Sequence, residues 1–208
     1  ITEPTAIDPY NVQESEGTLV AKALFTGLVN VRPDGEVYDG VASAWTPNAD
    51  CSQWTFTLKP GTTFSNGEPV DSAAFKRGWE RTAARDSGSA VSYHLNEVAG
   101  FDQLQDGSAT TLSGVDASDP NTLKVALAAP DCEFALRTAV PPLSPVPTGA
   151  GPSSNTTYND LPIGNGPFQI DDWQQGVSLT ASKWADYTLD ETPNYDAIEW
   201  TQYAGASD

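Results

Sequence analysis

Gly164 and Gly166 in "LPIGNGPFQIDDWQQG" stand one residue apart, the spacing of loops that cradle phosphate. The neighbours argue against that chemistry. Such a cradle needs free backbone N–H groups leading into a helix. Here Pro167 removes a donor, and Phe168 and Ile170 alternate as in a strand. No Lys, Ser or Thr sits at the P-loop offsets. Tight backbone geometry beside a strand explains the glycines better. Asn165 between them reads as a turn residue. Nucleophilic catalysis would have to use His94, the single imidazole, and no G-x-S-x-G elbow surrounds any Ser. In "SYHLNE" it reads as a packed or surface histidine. "DASDPNTL" lacks the spaced acids of a calcium loop. With 28 acids in the chain, some carboxylate pair always suggests glycosidase geometry, so pairing singles out no site. Cys51 and Cys132 lie in no C-x-x-C and are too few for a zinc site. No catalytic residue, metal or cofactor is expected.

Few elements are available to position these groups. Ser15 is placed to cap a helix over "EGTLVAKALFTGLV", with Leu19, Ala23 and Leu24 at helical spacing, Lys22 outside and Gly27 as its stop. Asp71 or Ser72 would cap a second helix, "AAFKRGWERTAARD". Its apolar stripe is Phe75, Trp79 and Ala83. Lys76, Arg77, Arg81 and Arg85 make an opposite, solvated face, with Arg85 near the C-terminal dipole end. "QWTFTLK" (53–59) and "NTLKVALA" (121–128) alternate as strands, as do 177–182 and 197–203. "SGVDAS" and the turn "DPN" precede the 121–128 strand and form a hairpin with it. The segment 140–157, with five Pro and two Gly, reads as a long irregular connection. Mixed helix and strand without regular βαβ alternation argues α+β, or an irregular α/β domain with mixed sheets. If 53–59 pairs antiparallel with 121–128, Cys51 and Cys132 meet at one edge. A disulfide there closes a long loop, worth about 4 kcal/mol in the chain-entropy model, and implies an oxidising compartment. Two free thiols are the alternative.

The net charge is −18, from 28 acids against 10 bases. That field repels polyanions, so nucleic acid and anionic membranes are excluded as partners. No apolar run approaches the length of a bilayer span. The chain contains no Met and opens at "ITEPTAIDPY" with no signal segment, so it reads as mature or trimmed.

The series "AIDPY", "LFTGLV", "PDGEVYDGVASAW", "WTFTLKPGTTFSNGEPVDSAAFKRGWER", "VAGFDQLQDG", "LSPVP" and "PIGNGPFQIDDW" resembles, in order and spacing, the family 5 solute-binding proteins of ABC importers. These are the oligopeptide, dipeptide and nickel type, and the oligopeptide flavour is nearest. The resemblance covers nearly the whole chain. It implies an α/β (mixed α+β) fold, a periplasmic-binding-protein-like class II lobe with an inserted smaller α+β domain. Residues 1–44 would begin the first lobe, 45–161 would be the insert, and 162–208 would return to the lobe. Members of that family are much longer, so the resemblance implies an N-terminal fragment that lacks the opposing lobe and half the ligand cleft.

The implied role is non-enzymatic: an extracytoplasmic component that captures short peptides and delivers them to an ABC permease. The resemblance implies a monomer, in the periplasm or lipid-anchored at the cell surface, with its signal segment absent. For ligand contact it points to Gln13, Glu14, Ser15 and Glu16, after the "DP" motif, where a carboxylate would hold a peptide ammonium. Ala90, Val91 and Tyr93 in the insert are the second group. Glu16 also suits the first turn of a helix, and Tyr93 a core. The alternative is a secreted acidic carbohydrate-active module, a glycan binder or glycosidase. It requires exposed tryptophans, whereas the importer reading buries Trp45, Trp54, Trp79 and Trp173. The paired-strand argument gives a direct test: Ellman titration of the unreduced, denatured chain finds no free thiol, and two thiols would refute the bridge.

Overall fold

The computed structural model describes residues 1–189 and 193–203. In chain order these form α1 (Ser15–Leu24), β1 (Val29–Val31), β2 (Val37–Asp39), β3 (Ala42–Pro47), β4 (Gln53–Leu58), α2 (Ser72–Ala83) and α3 (Phe101–Asp106). Then follow β5 (Val115–Asp119), β6 (Thr122–Ala126), α4 (Phe134–Arg137), α5 (Thr156–Asp160), β7 (Phe168–Gln174), β8 (Ser178–Lys183) and β9 (Ala197–Thr201). β1 and β2 form a hairpin. A four-stranded sheet runs β3-β4-β6-β5 and a three-stranded one β7-β8-β9. All these pairings are antiparallel, so the sheets are not mixed in strand direction as the sequence suggested.

The larger core lies between the four-stranded sheet and α2. β4 alternates as its sequence demands: Trp54, Phe56 and Leu58 are buried and Gln53, Thr55 and Thr57 exposed. Its register with β6 pairs Gln53 with Ala126 and Thr57 with Thr122. β5 and β6 form the expected hairpin. The cysteines therefore meet at one end of the pair, and Cys51 and Cys132 are bonded, with Cα atoms 5.0 Å apart. Cys51 holds a left-handed backbone, φ 58°, in the turn before β4.

α2 starts where Asp71 accepts the N–H of Ala74, and Phe75, Trp79 and Ala83 are fully buried. Of the expected solvated basic face, only Arg85, just beyond the helix end, is exposed. Lys76 Nζ donates to the carbonyls of Leu112 and Val115, and Arg77 Nε to that of Val146. Arg81 is inside the protein, its side chain 3% exposed. These cations satisfy loop carbonyls that helices and sheets leave unpaired. The irregular connection 140–157 is buried in its first half and exposed over much of its second. Residues 141–147 are all buried, and Trp79 Nε1 donates to the carbonyl of Leu143 at 2.7 Å.

The smaller core joins α1 to the three-stranded sheet through Ile7, Val20, Leu24, Phe168, Leu179 and Trp200. α1 departs from its sequence reading at both ends. Glu14, in extended backbone, is the cap, and its Oε1 accepts the Gly17 N–H; Ser15 is already helical. The buried stripe is Val20, Ala21 and Leu24, while Leu19 points out at 51% exposure. The helix stops at Leu24, before Gly27, because Phe25 turns extended and the Leu24 carbonyl accepts the N–H of Gly166.

That contact explains the paired glycines. A Cβ on Gly164 would lie 1.8 Å from the Leu24 oxygen, and one on Gly166 would lie 2.5 Å from its carbonyl carbon. The last turn of α1 packs backbone to backbone on 164–166. Asn165 is not a simple turn residue. It is fully buried, and its amide accepts the Thr26 N–H at 3.0 Å and donates to the Thr26 carbonyl at 2.9 Å. All six tryptophans lie within the described residues and none is exposed. Trp54, Trp79 and Trp200 are buried, and Trp45, Trp173 and Trp184 are partly buried.

The Gly164→Ala variant should lose about 3 kcal/mol, the upper range for forcing an atom into a packed interior, and roughly 6–12 °C in Tm. Thermal unfolding by circular dichroism measures it. An unchanged Tm would show that the two segments are not held together there.

Candidate functional site

The N-terminal segment enters the protein on a buried ion pair. Asp8 caps the short turn Pro9–Asn11 through the Tyr10 N–H, and its Oδ1 accepts Arg81 Nη1 at 2.7 Å. Both side chains are closed off from solvent, at 1% and 3% exposure. Arg81 also donates to the Gly151 carbonyl and to Asn159 Oδ1, and its guanidinium lies over the rings of Tyr10 and Tyr158 at 4.7 and 5.3 Å. Burial pushes the Tyr158 hydroxyl well above its ordinary range, and the Asp8 charge adds to this, so it stays protonated and donates to the Ile163 carbonyl. One side chain of α2 thus joins the N-terminal turn to the segment around 151–159.

Beyond this pair the chain meets the loop after α2. The Asn11 carboxamide oxygen accepts both the Ala90 N–H and the Gln13 Nε2–H, each at 3.1 Å. Ser89 Oγ donates to the Tyr10 carbonyl. The two candidate groups, 13–16 and 90–93, are therefore neighbours, held through Asn11. Gln13 and Ser15 are exposed, as are Ala90 and Tyr93; Glu16 is half-buried in the first turn, and Val91 is buried at 4%. Tyr93 is no core residue. At 58% exposure it stands against the His94 ring, centroids 4.3 Å apart.

Glu14 is less free than its sequence position suggests. Its Oε1 accepts from Gly17 and from the Thr5 N–H at 2.9 Å, while Oε2 is enclosed with no hydrogen-bond partner among the described residues. Two backbone donors and the positive end of α1 hold Oε1, so only one oxygen of this carboxylate is satisfied among the described residues.

None of the seven candidates lines the 540 Å³ cavity that opens further along α1. Ala21, Lys22 and Phe25 form one wall, and His94, Leu136 and Arg137 stand in another. Lys22 is on the outside of α1, as its spacing predicts, and His94, read as a packed or surface histidine, stands in the wall; the sequence sets no expectation for Arg137. The signal for the cavity lies in the meeting of α1, the β1–β2 hairpin and α4, which no local pattern encodes. Among the described residues no cluster of His, Cys, Asp or Glu could hold a metal ion.

The description of bacterial extracellular solute-binding proteins, family 5 middle, matches residues 36–208, and the chain belongs to that family. It is 30% identical to the oligopeptide-binding protein OppA of Bacillus subtilis over 88% of this chain and 34% of that protein. It is 28% identical to the glutathione-binding protein GsiB of Salmonella typhimurium, over 94% of this chain and 36% of the relative. The solved structure of the Escherichia coli murein tripeptide binding protein MppA superposes with a TM-score of 0.86 at 27% identity, covering 97% of this chain and 40% of that one. The chain thus spans between about a third and two fifths of these relatives. No helix among the described residues is long and apolar enough to cross a membrane.

Burial holds the His94 imidazole below the usual 6.5, and the Arg137 charge adds to this. The folded state therefore binds protons less readily than the unfolded one. His94 costs stability as pH falls below 6.5 and costs none above it. His94 is the only imidazole, so its proton NMR titration is unambiguous; a midpoint below 6.5 is expected, and one above it would contradict the burial.

Proposed function

We propose that this chain is the binding part of an extracytoplasmic solute-binding protein that captures short peptides and passes them to an ABC permease. It acts without catalysis and as a monomer. The observation that carries this reading is the joining of 13–16 to 89–93 through Asn11, within a chain of family 5. Two segments far apart in sequence meet at one face. That face offers the exposed residues Gln13, Ser15 and Ala90 and an exposed aromatic at Tyr93. An extended peptide can lie across this face, with Tyr93 against a side chain and Glu16 near its ammonium. OppA, GsiB and MppA are named for oligopeptide, glutathione and a murein tripeptide, which favours a peptide cargo of a few residues.

The division into 1–44, 45–161 and 162–208, an N-terminal fragment of a two-lobed protein, is our reading of that kinship. So is residence in the periplasm or, with a lipid anchor, at the cell surface. The Cys51–Cys132 bridge favours an oxidising compartment.

The test is NMR titration of the chain with tri- to pentapeptides and, separately, with cello-oligosaccharides. Peptides should shift amides of 11–16 and 89–93, with affinity weaker than micromolar because one face encloses little of a ligand. Oligosaccharide shifts at the tryptophan indoles without peptide shifts would overturn the reading, and micromolar peptide binding would overturn the single-face account.

A further inference from the structure

The 540 Å³ cavity beside α1 has the size of a small-molecule site and carries on its wall a cation unpaired among the described residues, Lys22, together with Arg137, whose charge is shared with Asp131 and Glu97. In a chain of net charge −18, two of the ten bases, Lys22 and Arg137, stand on its wall. The Lys22 ammonium makes no hydrogen bond or ion pair among the described residues. Arg137 is braced: Nε meets Asp131 Oδ2 at 2.9 Å, and Nη2 meets Glu97 Oε1 at 3.1 Å. Those braces fix the guanidinium plane and leave Nη1 to donate. Between the cations the wall is apolar. Phe25 is buried, but Val31 and Leu136 are 40% and 43% exposed on the rim, where isolated solvent contact gains nothing. His94, kept neutral at neutral pH by burial, adds a polar atom without adding charge.

We infer that this cavity is a binding site for a small carboxylate with an aromatic or branched aliphatic body, its anionic head between Lys22 and Arg137 and its body against Phe25, Val31 and Leu136. The same chemistry is offered by a free acid and by the C-terminal residue of a peptide. The inference does not depend on the peptide face at 13–16 and 90–93, since none of those seven residues lines the cavity.

The probes are 3-phenylpropionate, its uncharged amide, and N-acetyl-Gly-Phe with a free carboxylate, each titrated into the 208-residue chain by 1H–15N NMR. Saturable shifts are expected at Ala21, Lys22, His94 and 136–140, with dissociation constants on the order of millimolar, and about tenfold weaker binding for the amide. Both carboxylates binding supports a shared head-group site, and a preference for one names its source. Lys22 is exposed, so Lys22→Gln should keep the fold and weaken 3-phenylpropionate by roughly 5- to 10-fold. Leu136→Glu, also at an exposed position, should abolish the shifts by placing a carboxylate on the rim. The site is refuted if neither carboxylate gives saturable shifts there up to roughly 20 mM. It is equally refuted if the amide binds as well as the acid, or if Lys22→Gln leaves the affinity within about twofold. Peptide shifts confined to 11–16 and 89–93 are a separate readout, so either site can fail alone.

Discussion

Arg81 and Asp8 form the contact on which the arrangement rests. A guanidinium and a carboxylate with almost no solvent exposure have each lost several kcal/mol of hydration, and attraction alone seldom offsets it. Arg81 also donates to the Gly151 carbonyl and Asn159, and the rings of Tyr10 and Tyr158 cover the faces of the cation. Removing either partner leaves a buried charge unpaired, a loss of about 3–5 kcal/mol. Apolar contact would bury these segments as well. The ion pair adds direction: it sets which way the chain leaves Asp8, and so where residues 10–16 lie.

From there the fold builds outward by backbone satisfaction. Asn11 holds the 89–91 loop, Asn165 holds the backbone at Thr26, and the Leu24 carbonyl takes the Gly166 N–H. Each is a polar side chain or backbone group closing an element end that no strand or helix completes. The two glycines permit the last of these contacts, since any Cβ there would enter the α1 backbone. The stretch that resembled a phosphate loop is a seam between a helix end and a returning strand.

Periodic features were legible in the sequence. The alternation of Trp54, Phe56 and Leu58, the stripe of Phe75, Trp79 and Ala83, and the β5–β6 hairpin follow from local pattern. The pairing of Cys51 with Cys132 followed once two strands were set antiparallel. What was misread depends on partners distant in sequence. Arg81 looked like one more solvated cation because Asp8 is 73 residues away. Leu19 looked buried because its spacing allows either side of α1, and the sheet took Val20 and Leu24 instead. Ser15 looked like the cap until Glu14 adopted extended backbone and reached the same donors. The order of the motifs revealed the family, but the joining of 13–16 to 89–93 became visible only in three dimensions.

The central claim is that these two segments present one peptide-binding face. A tripeptide carrying a photoreactive phenylalanine, cross-linked to the chain and mapped by mass spectrometry, tests it most directly. The account predicts labels within 10–17 and 88–94, competed by the unlabelled peptide. Labels confined to the Gln174–Val177 turn of the three-stranded sheet, or no competition, would contradict it.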